Sequence, residues 1–167
     1  DGNHYHFDKM IRSGIATIFA RNIVEGESVG ANISAGHLSS LPNWFYSGLS
    51  SYLAENWSPE IDIHIKNGIL TKRFALLEDL NPVEATYAGH SLWKFIVDRY
   101  GEATISNILY SVRSSRNVEK SLYYVTGVPY KELIQDWYRT NYVLFTKEIK
   151  TGTPDNMGVI NKPNKNR

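Results

Sequence analysis

The chain has 167 residues, 42% of them hydrophobic and 13% aromatic, with a formal net charge of +1. That length and composition predict one packed domain and exclude a disordered chain, and the near-neutral charge gives no electrostatic case for nucleic acid or an anionic membrane surface. The absence of cysteine excludes disulfides, thiolate metal sites and cysteine nucleophiles.

In chain order, residues 1–7, "DGNHYHF", read as a short lead-in, with a helix over 8–24 capped by Asp8. The start at Asp1 without a Met reads as the mark of a processed or excised chain. On the helix Met10, Ile11, Ile15, Ile18 and Phe19 recur at helical spacing, and Ser13, Gly14 and Thr17 interrupt that face. A Gly- and Ser-rich loop, "EGESVGANISAGHLSS", follows.

The stretch "LPNWFYSGLSSYLAENW" predicts a second helix starting at Pro42, with Leu41, Phe45, Leu49, Tyr52 and Leu53 on its apolar face. Ser58 followed by Pro59 opens a third helix ending near Gly68, and "TKRFALLEDL" predicts a fourth that stops before Asn81-Pro82. Residues 83–99 predict a long amphipathic helix ended by Gly101, followed by helices over 102–114, 117–126 (ended by Gly127) and 129–148. No stretch alternates as a strand would, and no apolar run approaches the ~20 residues of a membrane span. The expected organisation is an all-α domain over 1–150 with a polar tail or interdomain linker over 151–167.

"LPNWFYSGLSSYL" resembles the second zinc-ligand helix of the gluzincin metallopeptidases, particularly the peptidase-MA-like families. Their pattern is Pro, one residue, Trp, an apolar residue, a small residue, then Glu-Gly-Leu-Ala and an aromatic. Pro42, Trp44, Phe45, Gly48, Leu49 and Tyr52 match it, and Ser47 stands at the position of the ligand Glu. The resemblance then implies an upstream His-Glu-x-x-His helix, and "SGIAT" fits its frame. Ser13 and Thr17 stand where the two His ligands would be, and Gly14 where the catalytic Glu would be. "TYAGHSLWKFIVDRYGEATISNIL" and "SLYYVTGVPYKELIQDWYRTNY" resemble the later helices of the family, so the likeness spans about residues 7–146.

The active relatives hold zinc with two His one helical turn apart and a Glu from the next helix, and a further Glu activates water. Neutral hydroxyls and a glycine replace all four groups here, so the resemblance implies a degenerate, non-catalytic member with no cofactor and no metal. It keeps a gluzincin C-terminal-type helical scaffold and a vestigial groove at Ser13, Gly14, Thr17 and Ser47. It further implies a protein or peptide partner, a periplasmic or otherwise extracytoplasmic place in a bacterial envelope protein, and a TolB-like β-propeller after the tail. Tyr87 is a candidate cleft residue, since active gluzincins place a Tyr or His from a later helix at the oxyanion. An active hydrolase with an unrecognised site, and a purely structural spacer beside a propeller, are the rival expectations.

The remaining residues offer no other chemistry. His4 and His6 form an HxH pair in the lead-in, His37 lies in the Gly/Ser-rich loop, and His64 and His90 lack a His or carboxylate partner at i+4. Glu84 and Asp98 are separated by about 21 Å along one helix, too far for paired carboxylates. There is no Gly-x-Ser-x-Gly elbow or phosphate-cradling glycine loop. Arg113, Arg116, Lys120 and Lys131 alternate with Glu119 and Glu132, as a solvated mixed surface does. Trp57, Tyr110, Tyr123, Tyr124 and Tyr130 are candidates for an exposed aromatic patch.

Overall fold

A computed structural model describes residues 2–25 and 41–152. Seven helices account for these segments: α1 (Gly2–Glu25), α2 (Asn43–Ala54), α3 (Pro59–Leu70), α4 (Pro82–Tyr100), α5 (Ala103–Ser115), α6 (Val118–Thr126) and α7 (Tyr130–Gly152). No strand occurs among the described residues, and the class is all-α. The Gly/Ser-rich loop over 26–40, with His37, and the tail from 153 lie outside the described residues, as do the side chains of His4 and His6.

Helix boundaries follow their local chemistry. The Ser58 hydroxyl accepts from the Ile61 amide with Pro59 in the first turn of α3. Asn81 and Glu84 form a reciprocal capping box on α4. Gly101 (φ 88°) ends α4 and Gly127 (φ 73°) ends α6, both in the positive-φ region that a side chain disfavours. Pro42 stands one residue before α2 instead of within its first turn, and Glu55 ends the helix in extended backbone.

Two further expectations are corrected. Residues 2–7 are helical, which places Asp8 inside α1 and not at its cap. No proline stands among residues 1–7 to halt the helix upstream of Asp8. The segment 71–80 is not a helix but two 3₁₀ turns, Arg73–Ala75 and Leu77–Asp79, entered through Lys72 at φ 62°. Long-range ties set that path: Phe74 is buried against Gly68, and the Arg73 guanidinium reaches Glu84 and the Asp79 carbonyl. On α1, the five bulky apolar residues are exposed, and the buried positions are Ala16, Ala20 and Val24. Small residues let a helix lie close to its neighbour, and that closeness sets the face which packs.

The core is built on α2 and α4, with Trp44, Phe45, Leu49, Leu92, Trp93 and Ile96 buried between them and their neighbours. The Trp93 indole N–H donates to the Phe45 carbonyl at 2.9 Å, and the Trp137 indole of α7 donates to Ser91 Oγ at 3.0 Å. These bonds satisfy buried donors and fix the register of three helices together. Tyr138 of α7 donates to the Ile69 carbonyl at the end of α3. Helix α1 packs on α2 and also reaches α5.

Candidate functional site

A cleft of about 600 Å³ opens between α1, α2 and the start of α4. From α1 it takes Lys9, Ser13, Thr17 and Arg21, each four residues from the next and therefore on one helical face. Asn43, Ser47, Ser50 and Ser51 come from α2, and Val83, Thr86 and Tyr87 from α4. Ser13, Thr17, Ser47 and Tyr87 thus meet in one cleft although 74 positions of sequence separate the first from the last. Gly14 does not line it: the residue is exposed, and a Cβ there would meet nothing within 4 Å.

The hydroxyls are already partly engaged. Thr17 Oγ1 donates to the Ser13 carbonyl at 2.8 Å and lies 2.6 Å from Ser50 Oγ, tying α1 to α2 across the cleft floor. Ser47 Oγ donates to the Asn43 carbonyl on its own helix at 2.6 Å. The Tyr87 hydroxyl donates to Glu60 Oε1 at 2.8 Å, and its ring stacks on His64 with centroids 4.1 Å apart. Burial, then the bond to Glu60, pushes the Tyr87 hydroxyl up to about 12. It therefore stays protonated at neutral pH with its proton committed to α3.

One end of the cleft carries a polar relay that no local sequence signal announces. Lys9 pairs with Glu55 at 2.8 Å, and the Glu55 side chain is 5% exposed. Ser51 Oγ donates to Glu55 Oε1 at 3.2 Å and lies 2.9 Å from Nδ1 of the buried His90. A carboxylate only accepts and a hydroxyl has one proton, so with Ser51 donating to Glu55 the His90 Nδ1 donates to Ser51. Burial first of all lowers the His90 imidazole to about 4, leaving it neutral at pH 7. A neutral donor with so low a pKa is not a base for Ser51, and the pair serves as a cross-link between α2 and α4. Partners 39 residues apart on different helices leave no periodic trace in the sequence.

Among the described residues, no group of three or more His, Cys, Asp or Glu converges on a point that would hold a metal ion. No described helix is long and apolar enough to cross a membrane. Of the candidate aromatic patch, Tyr110, Tyr123 and Tyr124 flank a groove between α5 and α6. Tyr130 instead packs on Trp44, and the half-buried Trp57 donates to Asp62.

Comparison with protein-family models, with curated proteins and with solved structures gives no match to this chain. What fold and site define is an all-α domain with a hydroxyl-lined cleft between α1, α2 and α4.

Proposed function

We propose that the chain is a non-catalytic binding domain on a degenerate gluzincin-like scaffold, its zinc site lost, within a larger cell-envelope protein. The observation that carries this reading is the convergence of Ser13, Thr17 and Ser47 on a single cleft. These are the positions that the resemblance equates with three zinc ligands, and they come from two helices with no neighbouring sequence between them. Neutral hydroxyls bind divalent cations poorly but donate to and accept from a peptide backbone, and Arg21 adds a cation at the rim, where Lys9 is already paired with Glu55. A protein or peptide segment is the occupant this chemistry suits. The extracytoplasmic location and a following β-propeller come from the resemblance and belong to the same proposal.

The test uses fluorescein-labelled casein peptides, followed by fluorescence anisotropy and by gel for cleavage. Binding without cleavage is expected, with at least a tenfold loss of affinity in a Ser13→Trp/Ser47→Trp variant that fills the cleft. Equal affinity in that variant overturns the cleft as the binding site. Failure of every peptide to bind favours a structural spacer. Stoichiometric zinc in the purified protein, together with chelator-sensitive casein cleavage, overturns the non-catalytic assignment.

A further inference from the structure

Helices α5 and α6 pack on each other across the Arg116–Asn117 turn, and two helical stripes line the groove between them. Asn107, Tyr110, Ser111 and Ser114 stand at i, i+3, i+4 and i+7 on α5. Lys120, Tyr123 and Tyr124 stand at i, i+3 and i+4 on α6. The groove measures about 1020 Å³, at the top of the roughly 300–1,000 Å³ that ligand sites occupy. Tyr110 and Tyr123 are 57% and 56% exposed, and Tyr124 is 83% exposed. Among the described residues no other ring lies against these three, and their hydroxyls have no hydrogen-bond partner. Nor do the side chains of Asn107, Ser111, Ser114 and Lys120 make a hydrogen bond or ion pair there. Elsewhere in the chain helical hydroxyls turn back on their own helix: Ser47, Thr86 and Thr146 each donate to the carbonyl four residues upstream. This groove therefore differs from the cleft on α1, α2 and α4, where most hydroxyls are bonded within the chain.

We propose that the α5–α6 groove binds an acidic saccharide chain, with sugar rings stacked on Tyr110, Tyr123 and Tyr124 and a carboxylate held by Lys120. Each feature of the lining matches one feature of a uronic-acid unit. A pyranose ring presents a face of C–H bonds, which lies on a tyrosine ring as one apolar surface on another. Its hydroxyls both donate and accept, as do the Asn107 amide and the Ser111 and Ser114 hydroxyls. Among the described residues Lys120 is the one charged group in the lining, so the groove favours a sparsely charged anion and repels a cation. A nucleic-acid strand, with a charge on every phosphate, calls for more cations than one. A protein surface is also a poorer match. The strongest protein anchors fill apolar pockets, and Val125 is the one aliphatic residue in the described lining.

Isothermal titration of the full chain with tetragalacturonate tests this, with maltotetraose as the neutral saccharide and tetraglutamate as the anion without sugar rings. Tetragalacturonate is expected to bind, maltotetraose to bind several-fold more weakly, and tetraglutamate not to bind. Tyr110→Ala/Tyr123→Ala is expected to weaken tetragalacturonate about tenfold with an unchanged far-ultraviolet circular dichroism spectrum, as loss of stacking does. Lys120→Gln is expected to bring tetragalacturonate down to the affinity of maltotetraose. Ser13→Trp/Ser47→Trp, which fills the other cleft, is expected to leave tetragalacturonate binding unchanged. No binding of tetragalacturonate at millimolar concentration, undiminished affinity in the double tyrosine variant, equal affinity for tetraglutamate, or loss of binding in Ser13→Trp/Ser47→Trp overturns the proposal.

Discussion

Gly48 of α2 and Gly89 of α4 meet backbone to backbone, and a Cβ on either would collide with main-chain atoms of the facing helix. This closeness lets Trp93 reach the Phe45 carbonyl and Ser51 reach His90. Neither neighbour is the end of a flexible side chain, so the helices themselves must move apart to admit a methyl group. Gly48→Ala and Gly89→Ala are each expected to destabilise the fold by about 2–3 kcal/mol. Urea denaturation checks this, the midpoint falling while the slope stays unchanged.

Gly14 is the opposite case. It lies in the interior of a helix, with open space where its side chain would be. Ala removes backbone freedom from the unfolded chain and meets no obstacle in the folded one. Gly14→Ala is expected to stabilise by about 0.5–1 kcal/mol. A raised urea midpoint is the readout.

The helical class and three of the helix ends were legible because their signals are local. Ser58-Pro59, Gly101 and Gly127 each act on backbone groups within four residues, whereas Asn81-Pro82, read as the stop of the preceding segment, is the cap of α4. The inward face of α1 was not legible from its bulky residues. Hydrophobic periodicity marks Ile11, Ile15 and Ile18, whereas the packing follows the small residues Ala16 and Ala20. The 3₁₀ turns over 73–79 escaped for a related reason: Phe74 and Arg73 are held by partners on α3 and α4, which a reading along the chain does not see. At the site, Ser13, Thr17 and Ser47 were found through pattern resemblance. Ser50 and the Glu55–Ser51–His90 relay were missed because they are defined by contact between helices alone.

The Thr17–Ser50 bond gives a test of how α1 is held. Thr17 spends its single proton on the Ser13 carbonyl, so the 4%-exposed Ser50 donates to Thr17 Oγ1. Thr17→Val keeps the shape of the side chain but removes that acceptor, leaving a buried hydroxyl unpaired. The expected cost is about 1–2 kcal/mol. Adding Ser50→Ala removes the stranded hydroxyl, so the double variant is expected to lose less than the sum of the two single variants. Chemical denaturation of all four proteins closes the cycle, and strict additivity would refute the bond.

His90 makes the stability of the domain depend on pH in a defined window. Its imidazole is lowered to about 4 in the folded chain, chiefly by burial, against an ordinary value of 6.5. Between those values the unfolded chain takes up a proton that the folded chain refuses, so stability is complete above about pH 6.5 and declines as pH falls towards 4. Below that, both states are protonated and this contribution stops changing. The displacement corresponds to a loss on the order of 3 kcal/mol across the window. His90→Gln retains a group able to donate to Ser51 and has no titration there. Midpoint temperatures measured from pH 7 to pH 4 are expected to fall more steeply in the native protein than in His90→Gln. Parallel curves would mean that His90 does not resist protonation in the fold, and that the acid sensitivity of the domain lies with its carboxylates.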